Sequence, residues 1–140
     1  MKKIYTLGTD RRTEKDFIEI LLSYNIQSLI DVRRFPKSKI AIFKRENLEP
    51  LLQHEKLEYH FLGQELGGFR KGGYLAYIRT EDFIMGIDLL ESLALQKLSV
   101  IICAERFPWK CHRKWIAREL HRRGWELEHI IDKGKVWVPK

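Results

Sequence analysis

Apolar residues follow two rhythms along this chain: short continuous runs, and stripes spaced three or four apart. Residues 3–7 (KIYTL) form the first run and predict a strand. Gly8 to Arg12 is a polar turn. Thr13, with Asp16 three positions on, then forms a capping pair for a helix whose apolar stripe is Phe17, Ile18, Leu21 and Leu22. Asn25 stops it. Residues 26–32 predict the second strand and residues 57–62 the third. Between them a basic loop leads to a short helix with Leu48, Leu51 and Leu52 inward. Asn47 is its expected cap, and Pro50 is expected in its first turn, where a missing N–H has no helical partner. Residues 63–74 (GQELGGFRKGGY) are a glycine-rich loop, in which Gly67, Gly68, Gly72 and Gly73 permit positive φ and close backbone approach. Thr80 caps a longer helix, with Glu81 and Asp82 at its positive end and Phe83, Ile87, Leu90 and Ala94 on its buried face. Residues 98–103 form an almost continuous apolar run, as in a strand covered on both faces. The last long helix is expected to start near Cys111 and to end at Gly124. Residues 127–131 predict a fifth strand, and Lys133-Gly134-Lys135 turns into an edge strand over residues 136–138.

Strands that alternate with helices predict an α/β fold: three layers, a mainly parallel sheet of about five strands, helices on both faces and a C-terminal edge hairpin. No linker divides the chain, so a single domain over residues 1–140 is expected. Ligands of such sheets bind beyond the carboxyl ends of the strands. Four loops would emerge there, over residues 8–12, 31–45, 63–74 and 103–110, and these are the loops richest in glycine, charge and cysteine.

Composition narrows the function. Hydrophobic residues make up 44% and charged residues 32%, a globular profile, and no run is long enough to span a membrane. The N-terminus lacks a signal-peptide core, so a cytoplasmic location and no membrane partner are expected. The net charge of +7, with a pI of about 9.5, favours anionic small molecules or nucleic acid as partners. Two cysteines are too few for a disulfide framework and are expected to be free, catalytic or redox-active.

Both cysteines lie in VIICAERFPWKCHRKWIARELHRRG, at Cys103 and Cys111. A cysteine at a helix N-terminus has a lowered pKa. Arg113 lies in line with Ile116, Ala117 and Leu120, on the sheet-facing stripe of the first turn, where its fork could hold a phosphate, sulfate or carboxylate. The alternative is a buried Cys111 with Arg113 paired to Asp31 or Glu105. Cys103, at the end of a buried strand, is either core or a nucleophile at the sheet edge, and either thiol could be the reactive one. Glu105 and His112 are candidates for proton transfer. No cofactor is expected. The cysteine spacing is unlike common zinc sites, and the glycine-rich loop has no phosphate-binding lysine motif. Arg118, Arg122 and Arg123, with Trp109 and Trp115 nearby, would suit single-stranded nucleic acid.

The segments IYTLGT, IDVRRFPKSK, LEYHFLGQELGG, YIRTEDF and CAERFPWKCHRKWIARELHRRGWELEHI resemble the family known as domain of unknown function 488, over nearly the whole length. That family usually has a histidine after the first glycine, where this chain has Thr9, and its second motif often continues with arginines, where Lys39 keeps a positive charge. LIDVR before a loop, with a later cysteine-ended strand, is a weaker likeness to rhodanese-like domains. The resemblance implies a small α/β domain whose signature residues cluster in the four loops, and it implies no reaction. Cys103, Cys111, His112 and Glu105 are thus the catalytic candidates. Asp31, Arg33, Lys39, Gly67, Gly68, Arg70, Arg79 and Arg113 are the candidates for substrate binding, with no metal site. The expected function is an enzyme-like domain, a thiol-dependent transferase or hydrolase, acting on a phosphate- or sulfur-containing anion. The alternatives are a basic nucleic-acid-binding module without catalysis and a redox-responsive dithiol domain.

Overall fold

The computed structural model describes residues 2–35 and 40–138. Six strands form one sheet in the order β3-β2-β4-β1-β5-β6. They are β1 (Lys3–Gly8), β2 (Ser28–Asp31), β3 (Glu58–Phe61), β4 (Ser99–Cys103), β5 (Glu126–Asp132) and β6 (Lys135–Trp137). The pairs β1–β4, β1–β5, β2–β3 and β2–β4 are parallel, and only the C-terminal β5–β6 hairpin is antiparallel. The helices are α1 (Glu14–Ser23), α2 (Arg45–His54), α3 (Gly63–Leu66), α4 (Tyr74–Tyr77), α5 (Glu81–Gln96) and α6 (Arg113–Arg122), with 3₁₀ turns at Ala41–Phe43 and Pro108–Lys110. The protein is an α/β fold, as the alternation of patterns predicts.

Side chains alternate faces along a strand, and this divides the core in two. Tyr5, Leu7, Leu29, Val100, Ile102 and Ile130 pack with Phe17, Ile20 and Leu21 of α1 and Leu48 and Leu52 of α2. Ile4, Ile30, Ile101 and Leu127 pack on the other face with Phe83, Ile87 and Leu90 of α5 and Ile116 and Leu120 of α6. Thr13 and Thr80 cap α1 and α5 as expected, their hydroxyls accepting the N–H of Asp16 and Phe83.

Two boundaries differ from the sequence reading. Helix α2 starts before Asn47, because Lys44 is extended and its carbonyl already accepts the N–H groups of Asn47 and Leu48. Asn47 instead donates its side-chain amide to the Ala41 carbonyl, and Pro50 lies inside the helix. The glycine-rich loop also contains helices α3 and α4. Gly72 and Gly73 have positive φ, of 80° and 89°, as does Phe69 at 60°, whereas Gly67 and Gly68 serve close approach alone.

Because β1 to β4 are parallel, the loops that follow them leave one edge of the sheet. Two central strands, β1 and β4, end side by side there, with Gly8 opposite Cys103.

Candidate functional site

The site begins where β1 and β4 end. Beyond the sheet the ladder continues into the loops: Thr9 N–H donates to the Cys103 carbonyl and Asp10 N–H to that of Ala104, both at 2.9 Å. Gly8 has no room for a side chain, since a β-carbon would lie 1.9 Å from the Glu105 carbonyl oxygen and 2.6 Å from the Arg106 Cα. Gly8→Ala is therefore expected to push the 104–106 backbone aside and to cost about 3 kcal/mol, the upper part of the overpacking range, measurable by urea denaturation. A loss under about 0.5 kcal/mol would mean that the loop yields freely.

Cys103 is buried at the end of β4, its sulfur 3.7 Å from the Glu105 carbonyl oxygen. Cys111 follows the Pro108–Lys110 turn and is extended, with φ −132° and ψ 151°. It therefore precedes α6 rather than opening it. The Cys111 carbonyl accepts the Lys114 N–H and its sulfur accepts the Arg113 N–H at 3.5 Å, so the sulfur caps the helix. The two buried thiols act on each other's protonation. Cys103 pulls the Cys111 pKa down, to about 4; burial opposes this and His112 adds to it. Burial pushes the Cys103 thiol up, and Cys111 adds to the rise. The shifts are opposite, so Cys111 is the thiol that ionises first.

His112 Nδ1 lies 3.5 Å from the Cys111 sulfur, and Nε2 lies 3.0 Å from the Val32 carbonyl oxygen. A carbonyl only accepts, so Nε2 carries the hydrogen and Nδ1 faces the thiol as a base. The imidazole is flanked by Tyr74, at 5.2 Å between ring centroids, and by Gly68, whose added β-carbon would lie 3.3 Å from Nδ1.

Arg113 is fully buried. Its Nη2 donates to the Arg106 carbonyl at 2.8 Å, while Nε and Nη1 are buried without partners. It pairs with neither Asp31 nor Glu105. Its charge acts on Cys103 and on buried His129, whose pKa falls to about 4 through burial and then through Arg113. A buried guanidinium without a carboxylate needs a compensating anion close by.

The structure thus brings together Cys103, Cys111, His112, Arg113 and Gly68. Other candidates stand elsewhere. Asp31 is fully buried and holds Arg33 through both carboxylate oxygens, at 2.8 Å each, while Tyr59 donates to it at 2.6 Å. Arg33 spends its remaining terminal nitrogen on the Phe43 carbonyl, on the α2 side of the sheet. All three of its nitrogens are thus engaged within the fold. Glu105 contributes its carbonyl to the Cys103 thiol, and its exposed carboxylate bonds to neither cysteine. Gly67 lets the backbone pass Arg34. Arg70 donates to the carbonyls of Gly67 and Gln64 and stacks on Tyr77 at 4.0 Å. Arg79 is exposed between α4 and α5, its side chain in no ion pair among the described residues. Lys39 lies outside the described residues.

The chain matches a family described as Domain of unknown function DUF488 over residues 13–120. It belongs to that family. A search of curated proteins and a search of solved structures each returned no match. The part shared with the DUF488 family runs from the cap of α1 to Leu120 within α6 and includes Cys103, Cys111, His112 and Arg113; the β5–β6 hairpin lies beyond it. No helix among the described residues is long and apolar enough to cross a membrane, and none of their His, Cys, Asp and Glu side chains form a group of three or more that could hold a metal.

Sequence reading missed two buried polar partners of the DUF488 site. Arg12 donates to the carbonyls of Gly8 and Ile131, clamping the ends of β1 and β5. His129 Nδ1 pairs with the Thr6 hydroxyl at 2.6 Å. The Lys3–Glu126 register of β1 and β5 sets that pairing, and a sequence gives no parallel register. The cation set proposed for nucleic acid is also smaller than it looks. Arg122 and Arg123 are tied to Glu119, and Arg123 also to Asp88 and Glu91.

Proposed function

We propose that this protein is a thiol-dependent enzyme, a transferase or hydrolase, acting on a phosphate- or sulfur-containing anion with Cys111 as its nucleophile. The observation that carries this reading is Cys111, with His112 Nδ1 at 3.5 Å from its sulfur, next to a buried Arg113 whose Nε and Nη1 have no partner among the described residues. Cys103 lowers the Cys111 pKa and so favours its thiolate. His112 Nδ1, oriented by the Val32 carbonyl, takes the proton that Cys111 loses. Arg113 supplies the fixed positive charge. A thiolate held this way attacks an electrophilic phosphorus or sulfur atom: its electron pair forms the new bond, the bond to the leaving group breaks, and the proton on His112 passes to that group.

The test is the pH dependence of alkylation of the native protein by iodoacetamide, with each modified cysteine located by mass spectrometry. Cys111 is expected to react first, with a midpoint well below the value of about 8.5 for a free thiol. A midpoint at or above 8.5 for both cysteines would overturn the assignment.

A further inference from the structure

We propose that the cavity between α6 and the β5–β6 hairpin is a second ligand site, for a small planar aromatic molecule bearing a phosphate or carboxylate group. The inference does not depend on the thiol chemistry. The cavity has a volume of about 590 Å³, within the range of sites for small organic ligands. Three of the chain's four tryptophans line it: Trp109, Trp125 and Trp137.

Two of these indoles meet at the mouth. Trp109 and Trp137 stand edge to face, 5.4 Å between centroids, and Trp137 also lies 5.4 Å from the ring of His129. Both remain nearly half exposed, at 47% and 42%, beside exposed Val136 and Val138. Large apolar side chains clustered in the open around a concavity mark a binding site. Indoles supply flat faces for a second ring.

Charge selects which ring. Helix α6 presents Lys114 and Arg118 to the cavity, one turn apart. Neither pairs with a carboxylate among the described residues, although Arg122 and Arg123 of the same helix segment both do. Both rest against the ring of Trp115, at 5.2 and 5.8 Å. The one acidic lining residue, Glu126, lies at the start of β5, the end of the strand away from Trp109 and Lys114. The cavity is thus aromatic at its mouth and cationic along α6. A planar ring packed against the exposed indoles of Trp109 and Trp137 would put an attached anionic group near Lys114 and Arg118. His129, held through Nδ1 by Thr6, leaves Nε2 for a polar atom of the ring.

The experiment is calorimetric titration of the full chain with adenosine monophosphate as the probe, backed by quenching of tryptophan fluorescence. Adenosine tests the ring without the charge, and inorganic phosphate the charge without the ring. Adenosine monophosphate is expected to bind at millimolar concentration or below, more tightly than either fragment. Binding is expected to weaken about tenfold in Arg118→Glu, a surface change that leaves the fold intact, and to be lost in Trp137→Ala. No binding at millimolar concentration, or equal binding to the wild type and Arg118→Glu, would overturn the site. So would a concentration-dependent dimer that Trp137→Ala abolishes while the nucleotide fails to bind, since the aromatic mouth would then be covered by a second copy. Because no cysteine lines the cavity, Cys111→Ser should bind the nucleotide normally, which separates failure here from failure of the thiol reading.

Discussion

Asp31→Ala is expected to destabilise the protein by about 3–5 kcal/mol, the cost of removing one member of a buried ion pair. Asp31 is fully buried, and it accepts from Arg33 Nε, Nη2 and N–H and from the Tyr59 hydroxyl. Without it the Arg33 guanidinium remains buried with a single carbonyl partner, and the Tyr59 hydroxyl loses its acceptor. The cost is mainly that of the orphaned charge, so removing both charges should cost less. Asp31→Leu combined with Arg33→Met is expected to recover most of the loss. Urea denaturation of the single and double variants decides the matter. A single-variant cost under about 1 kcal/mol would show that water reaches Arg33 and screens it. The effect should also reach the thiols: the pair fixes the end of β2, and Val32, the next residue, supplies the carbonyl that orients His112. Alkylation of Cys111 in Asp31→Ala should therefore lose part of its pH dependence even where the protein remains folded.

That pair also shows how far the sequence could be read. Residues 31–33 lie on a loop that emerges where a ligand would bind, and a charged loop there suggests substrate contact. What the structure adds is parity. Leu29 faces α1 and α2, so Asp31 does too, and Tyr59 of the neighbouring strand waits on the same side. Strand parity is local and legible, but the neighbour across the sheet is not. Helix boundaries divide in a similar way. Thr13 and Thr80 carry their capping groups in their own side chains and are read directly. The start of α2 rests on the backbone of Lys44, which leaves no trace in residue type. Arg113 was legible as a sheet-facing residue because Ile116, Ala117 and Leu120 share its stripe, and all four are buried. Its lack of a carboxylate partner was not. That depends on Asp31 being taken by Arg33 and on Glu105 pointing to solvent.

The last consequence concerns Arg113 and is read in pH. The folded pKa of Cys111 is depressed, so its contribution to stability is full above the unfolded thiol value of about 8.5 and is lost as pH falls toward its folded value. Cys103 has a raised folded pKa and contributes the opposite sign: no penalty below about 8.5, and a growing one above it, where the unfolded chain ionises a thiol that the fold keeps protonated. The pair's contribution should therefore rise with pH to a maximum near 8 and then fall. Arg113→Met tests what supports the rising limb. Below about pH 4, where Cys111 is protonated, the wild type holds a buried cation with less compensation, and the variant should be as stable or more so. Near pH 8 the order should reverse, because the variant has lost the buried cation next to the thiolate. The same substitution should raise the alkylation midpoint of Cys111 from about 4 by about one unit, one unit being about 1.4 kcal/mol, so its reaction should slow roughly tenfold below pH 4 and change little at pH 6. Arg113→Lys keeps the charge without the fork that reaches the Arg106 carbonyl, and it should fall between the two. A folded Arg113→Met protein whose alkylation profile matches the wild type would leave the depressed pKa to Cys103, His112 and the residue-113 N–H alone. Arg113 would then be a core residue, and the anion it awaits would have to be a ligand and not the thiolate.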